Sequence, residues 1–346
     1  MNPLGRSWDR VFCFAPPPAA GGATKAGVPG TRQEEDRLGQ LLAAARPGSA
    51  VVVPPGRYTT PIEISRPLTL RGQSQQECII EVTADQPGIL VNTQGQGPVT
   101  IENLTVRWQL AGDKKVELPA ALLAKDTNVV VRHCRFEPLG DSQRSPMAVY
   151  VDGRSQSTVD HCRTSGFEYA ICYGPGTAGV VQDCIITDCG HQGVINYEGA
   201  TLTVQRNIIA GSRFHGVRCT GGTLHVQDNL LIRNANRGIY LGNRTGQGTI
   251  TDNLLVGNGS GISAFGRANY VIANNVVLDS GFSGIDMRDS CRLSIRNNVL
   301  MKNQRGLALF QEGEENYNVV ARNAFWHNAT DAESLDLPAG SLIADP

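Results

Sequence analysis

The stretch QRNIIAGSRFHGVRC (residues 205–219) returns four more times along the chain with the same residue classes in the same places. The later copies are QDNLLIRNANRGIYL (227–241), TDNLLVGNGSGISA (251–264), ANNVVLDSGFSGIDM (273–287) and RNNVLMKNQRGLAL (296–309). Each copy has an asparagine third, a small polar residue five places later, and then a glycine before an apolar run. Copies that recur every 22 to 25 residues indicate a solenoid in which each copy forms one turn.

Three columns of small residues result when the copies are aligned. The first column contains Asn207, Asn229, Asn253, Asn275, Asn298 and Asn323; the second contains Ser212, Asn234, Asn258, Ser280, Asn303 and Asn328; the third contains Gly216, Gly238, Gly261, Gly284 and Gly306. Upstream, the glycine column continues as Gly193, Ala170 and Ala148, and Asn103 marks an earlier turn. Cysteines take the polar positions of these upstream turns, as Cys134, Cys162 and Cys184 in the first column and Cys189 in the second.

The repeat predicts three short strands in each turn, such as Gly238–Leu241, Thr249–Thr251 and Leu254–Val256. Alternation along a strand sends Ile239 inward and Tyr240 outward. Stacked asparagines can bond to one another and to turn backbone that would otherwise be buried without partners. Glycine permits the positive φ or the close approach that a bend requires. The expected fold is all-β, a single-stranded right-handed parallel β-helix with three strands per turn.

A helix is predicted to cover the N-terminal end of this solenoid. Thr31 and Glu34 have the spacing of a capping box, and Pro47 with Gly48 is a stop signal, which places the capping α-helix at 31–46. Its apolar face consists of Leu38, Leu41 and Leu42. A solenoid needs such a cover because its end turns expose core residues.

The chain divides into a long solenoid and two short flanking segments. Residues 1–30 are rich in Pro, Gly and Ala and are predicted to be extended or loosely attached. The β-helix with its cap is predicted over 31–330, and a C-terminal tail over 331–346. The turns between Asn103 and Cys162 are longer than the rest, so loops at 109–118 and 137–146 should project and wall one side of a groove.

Composition excludes several classes of partner. With 31 basic and 32 acidic residues the net charge is −1, which argues against a nucleic-acid or membrane-surface binder. Nine cysteines without paired spacing argue against a disulfide framework and against a zinc site, and favour a reducing compartment. The chain as written has no signal-peptide pattern, which indicates the cytoplasm, or a secreted or periplasmic protein whose signal was removed. A monomer is expected.

The segment VVVPPGRYTTPIEISRPLTLRG (51–72) and the N-x-x-I repeats resemble the pectin-lyase-like superfamily, and more narrowly its proteins with carbohydrate-binding and hydrolase repeats. The resemblance covers about residues 31–330. It implies the right-handed β-helix but does not fix an activity, because such proteins include lyases, glycosidases, epimerases and non-catalytic adaptors. It also implies that ligands lie along the outward face of one parallel sheet.

That face should be formed by the strands that follow the glycine column. Their second residues are Tyr150, Cys172, Ile195, Arg218, Tyr240, Ser263, Asp286 and Ala308, and their fourth residues are Asp152, Gly174, Tyr197, Thr220, Gly242, Phe265, Arg288 and Phe310. Neighbouring turns lie about 4.8 Å apart, close to the length of one sugar residue. A polysaccharide or oligosaccharide could therefore lie along these columns.

The residue types on this face suggest binding and catalytic roles. The predicted substrate-binding residues are Tyr197, Arg237, Phe265, Phe310, Tyr150 and Asp152, and the predicted catalytic residues are Arg218, Tyr240, Asp286, Arg288 and His215. Elimination at a uronate needs a cation beside the carboxylate, a role for Arg218 or Arg288, and a base for the C5 proton. Tyr240 or His215 could be that base. His191 and Arg305 also flank the glycines.

Two hypotheses remain open on this evidence. The first is a lyase or epimerase that acts on an acidic polysaccharide; the second is a non-catalytic solenoid that binds a glycan or a protein. A glycoside hydrolase is the weaker enzyme hypothesis, because the columns offer only Asp286 and the distant Asp152 as a carboxylate pair. No cofactor is predicted, although a calcium site from Asp286, Asp289 and Glu312 is conceivable. His161, His225 and His327 are interpreted as isolated turn or surface residues.

Overall fold

The structure, a computed structural model, describes residues 32–112, 118–140, 145–242, 245–310, 318–337 and 340–344. The predicted N-terminal segment, Thr31, Glu312 and the central parts of both predicted loops lie outside these residues. The described chain forms a parallel β-helix of about 12 turns, preceded by one helix, Arg32–Ala44. The predicted fold class and the three strands per turn are confirmed. None of the described helices is long and apolar enough to span a membrane.

Three parallel sheets run the length of the solenoid. Sheet 1 contains Ala50–Val53, Thr69–Gly72, Val99–Glu102, Val129–Arg132, Gln156–Asp160, Ala178–Gln182, Thr201–Gln205, Gly222–Gln227, Gly246–Thr251, Asn269–Ala273, Arg292–Arg296 and Val319–Ala321. Sheet 2 contains Gly56–Tyr58, Cys78–Thr83, Thr105–Gln109, Arg135–Pro138, Arg163–Ser165, Ile185–Thr187, Ile208–Ala210, Leu230–Ile232, Leu254–Val256, Val276–Leu278, Val299–Met301, Ala324–Trp326 and Leu342–Ala344. Sheet 3 contains Ile62–Ile64, Ile89–Val91, Ala120–Lys125, Met147–Asp152, Tyr169–Tyr173, Gln192–Asn196, His215–Cys219, Arg237–Leu241, Ser260–Ala264, Ser283–Arg288, Arg305–Phe310 and Thr330–Glu333.

The core is a stack of aliphatic residues inside the three sheets. Ile239, for example, pairs with Val217 on one side and Ile262 on the other, and all three are fully buried. Because every turn repeats the same register, each inward side chain packs on its equivalents above and below. The outward side chains of one sheet are therefore also aligned in straight columns along the solenoid.

The asparagines of the first column hydrogen-bond to one another through the turns. Asn253 donates from Nδ2 to Asn275 Oδ1 at 2.9 Å, and it also donates to the carbonyls of Val226 and Thr251. Its Oδ1 accepts from both the backbone N and the Nδ2 of Asn229, each at 3.0 Å. The amide thus satisfies backbone groups of its own turn and of the preceding turn, and it bonds to the asparagine side chain of the next turn.

The upstream cysteines occupy the positions expected for them. Cys134, Cys162 and Cys184 are buried and free, and the thiol of Cys184 donates to the carbonyl of Val159 as the asparagine amides do to theirs. The backbone N of Cys184 in turn donates to Asn207 Oδ1 at 2.9 Å. These cysteines therefore continue the hydrogen-bonded column with a smaller side chain.

Close approach, not positive φ, explains the glycine column. A Cβ on Gly261 would lie 2.3 Å from Val277 Cγ1 and 2.4 Å from the carbonyl oxygen of Gly284 in the next turn. Left-handed residues instead precede the asparagines of the first column: Arg206, Asp228, Asp252, Asn274, Asn297 and Arg322, with φ between 54° and 59°. Asp and Asn suit this conformation because their short side chains bond locally.

The two ends differ in part from the sequence-based expectation. On the N-terminal helix Leu38 is buried and Leu42 packs against the core, but Leu41 is 38% exposed and is not part of that contact face. At the other end, Thr330–Glu333 and Leu342–Ala344 pair with the preceding turn, so sheets 3 and 2 continue beyond residue 330. The solenoid thus reaches into the segment that was predicted as a tail.

Candidate functional site

The outer face of sheet 3 carries the predicted columns in register. Arg218 pairs with Tyr240, Tyr240 with Ser263, and Ser263 with Asp286. The residues just before the glycine column, which include the predicted site residues His215 and Arg237, also pair in register and form a third column. Its members are Met147, Tyr169, Gln192, His215, Arg237 and Ser260.

The N-terminal half of this face is an apolar cluster, not an open groove. Its buried members are Ala120, Leu123, Tyr150, Cys172 and Ile195, with Leu90, Leu118, Met147, Tyr169 and Tyr197 packed around them. Tyr150 is only 8% exposed, and burial, helped by Asp152, raises its pKa to about 12. Tyr150 therefore packs inside this cluster together with Tyr197, and Asp152 lies beside Tyr150, several turns from the other predicted site residues.

The C-terminal half brings the remaining predicted residues together. We call it the arginine–aromatic face; it consists of His215, Arg218, Arg237, Tyr240, Phe265, Asp286, Arg288 and Phe310. Tyr197 lies at its boundary with the apolar cluster, where Arg218 acts electrostatically on its phenol. Burial is nevertheless the largest influence on Tyr197 and raises its pKa.

Six aromatic rings form one continuous row from the apolar cluster to the arginine–aromatic face. The ring centroids of Tyr169 and His191 lie 5.3 Å apart, and those of His191 and Phe214 lie 4.7 Å apart. Phe214 then contacts His215 at 4.1 Å, and His215 stacks on Tyr240 at 4.7 Å with an interplanar angle of 8°. Tyr240 contacts the final ring, Phe265, at 5.0 Å. The row thus begins at Tyr169, the first residue of its strand in sheet 3, and ends at Phe265, which directly follows the strand Ser260–Ala264.

Guanidinium groups lie over the rings at the end of the row. Arg237 Cζ lies 5.4 Å from the Tyr240 centroid and 5.0 Å from that of Phe265. Arg288 lies between Phe265, at 5.2 Å, and Phe310, at 4.7 Å. Stacking orients each guanidinium while leaving its N–H groups available in the plane. Such groups suit carboxylate or sulfate ligands.

Buried polar atoms without hydrogen-bond partners among the described residues concentrate at this face. They include His191 Nδ1, both amide atoms of Gln192, His215 Nδ1, Arg218 Nε, Arg237 Nε, Asp286 Oδ1 and Arg288 Nε. Each unpaired buried group costs about 1–3 kcal/mol, so native proteins leave few of them. Their concentration on nearby turns of sheet 3 makes its outer side the candidate place for a ligand that completes the hydrogen bonding.

His215 is held in its neutral form. It is 2% exposed, and burial, followed by the charges of Arg237 and Arg218 and by His191, lowers its pKa to about 3. Burial also lowers the pKa of His191 and of Arg237, although Asp286 opposes the shift at Arg237. The face therefore carries its positive charge on arginines and presents neutral imidazoles between them.

The lowered pKa of His215 predicts acid lability. Between its ordinary pKa near 6.5 and the folded value of about 3, the unfolded state binds the proton more readily, so stability falls as pH falls. From pH 7 to pH 4.5 this one group should contribute a loss of about 2 kcal/mol. Urea unfolding at both pH values measures it, with His215→Phe as the comparison because its ring can still stack on Tyr240. An equal loss in the wild type and the variant would contradict the assignment.

Asp286 is the buried carboxylate of the face. It is 2% exposed, its Oδ2 accepts from Ser263 Oγ at 2.6 Å, and its Oδ1 lies 3.6 Å from Arg288 Nε, too far for a hydrogen bond. It is six turns from Asp152, about 29 Å at the spacing of parallel strands. A hydrolase pair needs a separation below about 9.5 Å, so these two carboxylates do not form one.

Four neighbours of the site were not among the predicted site residues: Glu168, Tyr169, Gln192 and Phe214. They lie in or beside the column before the glycines, and Glu168 acts electrostatically on Tyr169 and His191. The sequence signal was weak, because these positions precede the strand pattern and vary in residue type from turn to turn.

The described side chains that could share a metal ion are not those named for the predicted calcium site. Asp289 Oδ2 accepts from the backbone N of Gly266, and Asp286 is engaged with Ser263. Among the described residues, the potential ligands that cluster are those of Asp160, His161 and Asp183, so the interpretation of His161 as isolated was wrong. Asp160 and His161 lie one turn from Asp183, and the regular register of the turns brings the three side chains together. Arg206 already pairs with Asp183 at 2.8 Å and holds its pKa low, which disfavours a further cation.

Comparison with known families agrees with the fold. The family described as "Right handed beta helix region" matches residues 87–255, and the "Periplasmic copper-binding protein (NosD)" family matches residues 216–336. These matches confirm the right-handed β-helix and are consistent with the resemblance to the pectin-lyase-like superfamily. No curated protein matches the chain. Within 216–336 the described residues contain no group of three His, Cys, Asp or Glu side chains placed to hold one metal ion.

Similar solved structures differ in activity. The surface adhesin PfbA of Streptococcus pneumoniae has a TM-score of 0.61 at 13% identity, over 89% of this chain and 90% of its own. A GH87 alpha-1,3-glucanase from Streptomyces thermodiastaticus has 0.61 at 15%, over 90% and 68%. A PL6 family polysaccharide lyase from Pseudopedobacter saltans has 0.59 at 13%, over 90% and 91%. Identities this low establish the shared fold, and function must be argued from the site.

Proposed function

We propose that this right-handed parallel β-helix protein binds an acidic polysaccharide along the arginine–aromatic face. The observation that carries the proposal is the set of buried, unpaired polar atoms of His215, Arg218, Arg237 and Arg288, which lie on three nearby turns of sheet 3. Most of them are N–H groups on cations, and such groups form their strongest hydrogen bonds with anions. Solved structures of the same fold include a polysaccharide lyase and a surface adhesin, which supports a carbohydrate-related function.

The geometry also suits a sugar chain better than an isolated anion. The rings of Tyr240, Phe265 and Phe310 lie at successive places along the face, and each is in contact with an arginine. Rings offer a flat apolar surface to a pyranose, while the arginines bind its carboxylates. The turns repeat about every 4.8 Å, so neighbouring sugars meet equivalent positions.

Elimination or epimerisation at a uronate is a second candidate function, because Arg218 lies beside both predicted bases. Its guanidinium is 5.8 Å from the Tyr240 ring and acts electrostatically on His215. The low pKa of His215 leaves the imidazole unprotonated, as a base must be, but reduces its driving force for taking the C5 proton. Binding is therefore the primary proposal, and cleavage is tested beside it.

Calorimetric titration with hexasaccharides tests the proposed function. We expect acidic hexasaccharides to bind and neutral maltohexaose not to bind, with affinity falling as sodium chloride rises because the contacts are ionic. Ultraviolet absorbance of unsaturated uronates in the same samples reports elimination, and nuclear magnetic resonance reports epimerised residues. Equal binding of maltohexaose, or no binding of any acidic hexasaccharide, would rule out the proposed function; the first result would leave a solenoid that binds neutral glycans, and the second a solenoid that binds a protein.

A further inference from the structure

We infer that the glycan bound at this face is mixed, with a uronate held at Arg218 and a neutral sugar held at Asp286. This inference rests on the proposed function and names the substrate class for the same site. It follows from the order of charges along one column of the sheet, which changes from cationic to anionic within three turns.

The cationic part of the face is at the turns of Arg218 and Tyr240. Arg218 and Arg237 both approach the Tyr240 ring, at 5.8 Å and 5.4 Å, and both have a buried Nε without a partner among the described residues. His215 adds a third unpaired nitrogen beside them. A carboxylate at this subsite would meet two positive charges and would satisfy several of these N–H groups.

The anionic part of the face is at the turns of Ser263 and Asp286. Asp286 is 2% exposed, and among the described residues its one hydrogen bond is the one from Ser263, which leaves Oδ1 without a hydrogen-bond donor. Arg288 lies 3.6 Å away and is itself stacked between two rings, so it offsets the charge without completing the hydrogen bonding. A second carboxylate placed here would be repelled by Asp286, whereas a hydroxyl or amide N–H could donate towards it.

The spacing of the two subsites determines the repeat of the glycan. Arg218 and Asp286 stand three turns apart in the same column, about 14 Å. With about one sugar per turn, Arg218 and Asp286 contact sugars that are three positions apart in the glycan. Because three is odd, a glycan that alternates acidic and neutral sugars places unlike sugars at these two residues. A glycan made only of uronates must place a carboxylate at both, and it is therefore disfavoured at Asp286.

Two hexasaccharides of equal length test this inference by calorimetry. The alternating probe is the hyaluronan hexasaccharide, in which glucuronate alternates with N-acetylglucosamine, and the uniform probe is hexagalacturonate. We expect the wild-type protein to bind the alternating probe at least about tenfold more tightly. Asp286→Asn removes the charge while keeping a side chain of the same shape, and we expect it to reduce this preference about tenfold, mainly by tightening hexagalacturonate binding.

Asp252→Asn is the matched control. Asp252 is an exposed left-handed residue at the corner between sheets 1 and 2, where asparagine adopts the same conformation. It removes one negative charge away from sheet 3, so the preference should stay at the wild-type value. The selectivity of the wild type provides a test that does not depend on the folding of Asp286→Asn.

The possible outcomes separate this inference from the proposed function. If the wild-type protein binds both probes equally, or prefers hexagalacturonate, the mixed-glycan inference is wrong while acidic-glycan binding stands. An unchanged preference in a folded Asp286→Asn variant would also overturn the role of Asp286. If neither acidic probe binds, the proposed function fails and this inference fails with it.

Discussion

Replacing Asn253 with alanine is expected to lower the free energy of unfolding by about 3–5 kcal/mol, because several buried groups lose their partners together. The amide donates to the carbonyls of Val226 and Thr251 and to Asn275, and it accepts two bonds from Asn229. Alanine can neither donate nor accept, and the site is 2% exposed, so water cannot easily compensate. Far-ultraviolet circular dichroism during urea unfolding measures the change.

Asn269→Ala is the matched control for this prediction. Asn269 is an exposed residue at the start of a strand in sheet 1, so its loss should change stability by less than about 0.5 kcal/mol. A solenoid can unfold in stages, and the urea midpoint should therefore be compared beside the fitted free energy. If both variants unfold at the wild-type midpoint, the asparagine column does not stabilise the fold as inferred.

The sequence was sufficient to predict the fold because each turn repeats the same physical requirements. A buried turn needs a polar side chain at Asn253 and no side chain at Gly261, and these needs recur in every turn. A periodic constraint is visible in one sequence without any alignment. For the same reason the substitutions by Cys162 and Cys184 could be recognised, since their positions match the column even though their side chains differ.

The site was predicted less completely, since burial on an outward face does not follow from alternation alone. Alternation placed Tyr150 and Arg218 in the same column, and the register confirms this placement. It could not show that Tyr150 packs with Cys172 and Ile195 while Arg218 lies among rings and unpaired nitrogens. That difference depends on neighbours several turns away and on side-chain packing, which a residue pattern does not specify.

The low pKa of His215 likewise could not be predicted from the sequence. A histidine beside Arg218 and Arg237 in the pattern suggested a general base, but the size of the shift depends on how completely the ring is buried against Tyr240. Burial and the two positive charges act in the same direction, so the imidazole stays neutral well below neutral pH. The imidazole is therefore unprotonated but a weak proton acceptor, and its role as a base stays a prediction.

The double variant Arg218→Ala with Arg237→Ala is expected to weaken binding of an acidic hexasaccharide by about 100-fold or more. Each guanidinium can form charge-assisted hydrogen bonds with a carboxylate, and such bonds contribute about 1.5–3 kcal/mol each. Both residues approach the same ring of Tyr240, so the pair acts on one subsite. Calorimetry against the same hexasaccharides measures the loss, and circular dichroism verifies that the variant is folded.

The control is a double variant with the same change of charge on other faces. Arg163 on sheet 2 and Arg296 on sheet 1 are both exposed, and replacing both with alanine lowers the net charge equally. If binding depended only on the overall charge of the protein, the two double variants would lose affinity to the same degree. A loss confined to Arg218 and Arg237 instead requires a contact at that subsite, and it should diminish the salt dependence of binding in the same variant, because fewer ionic contacts remain to be screened.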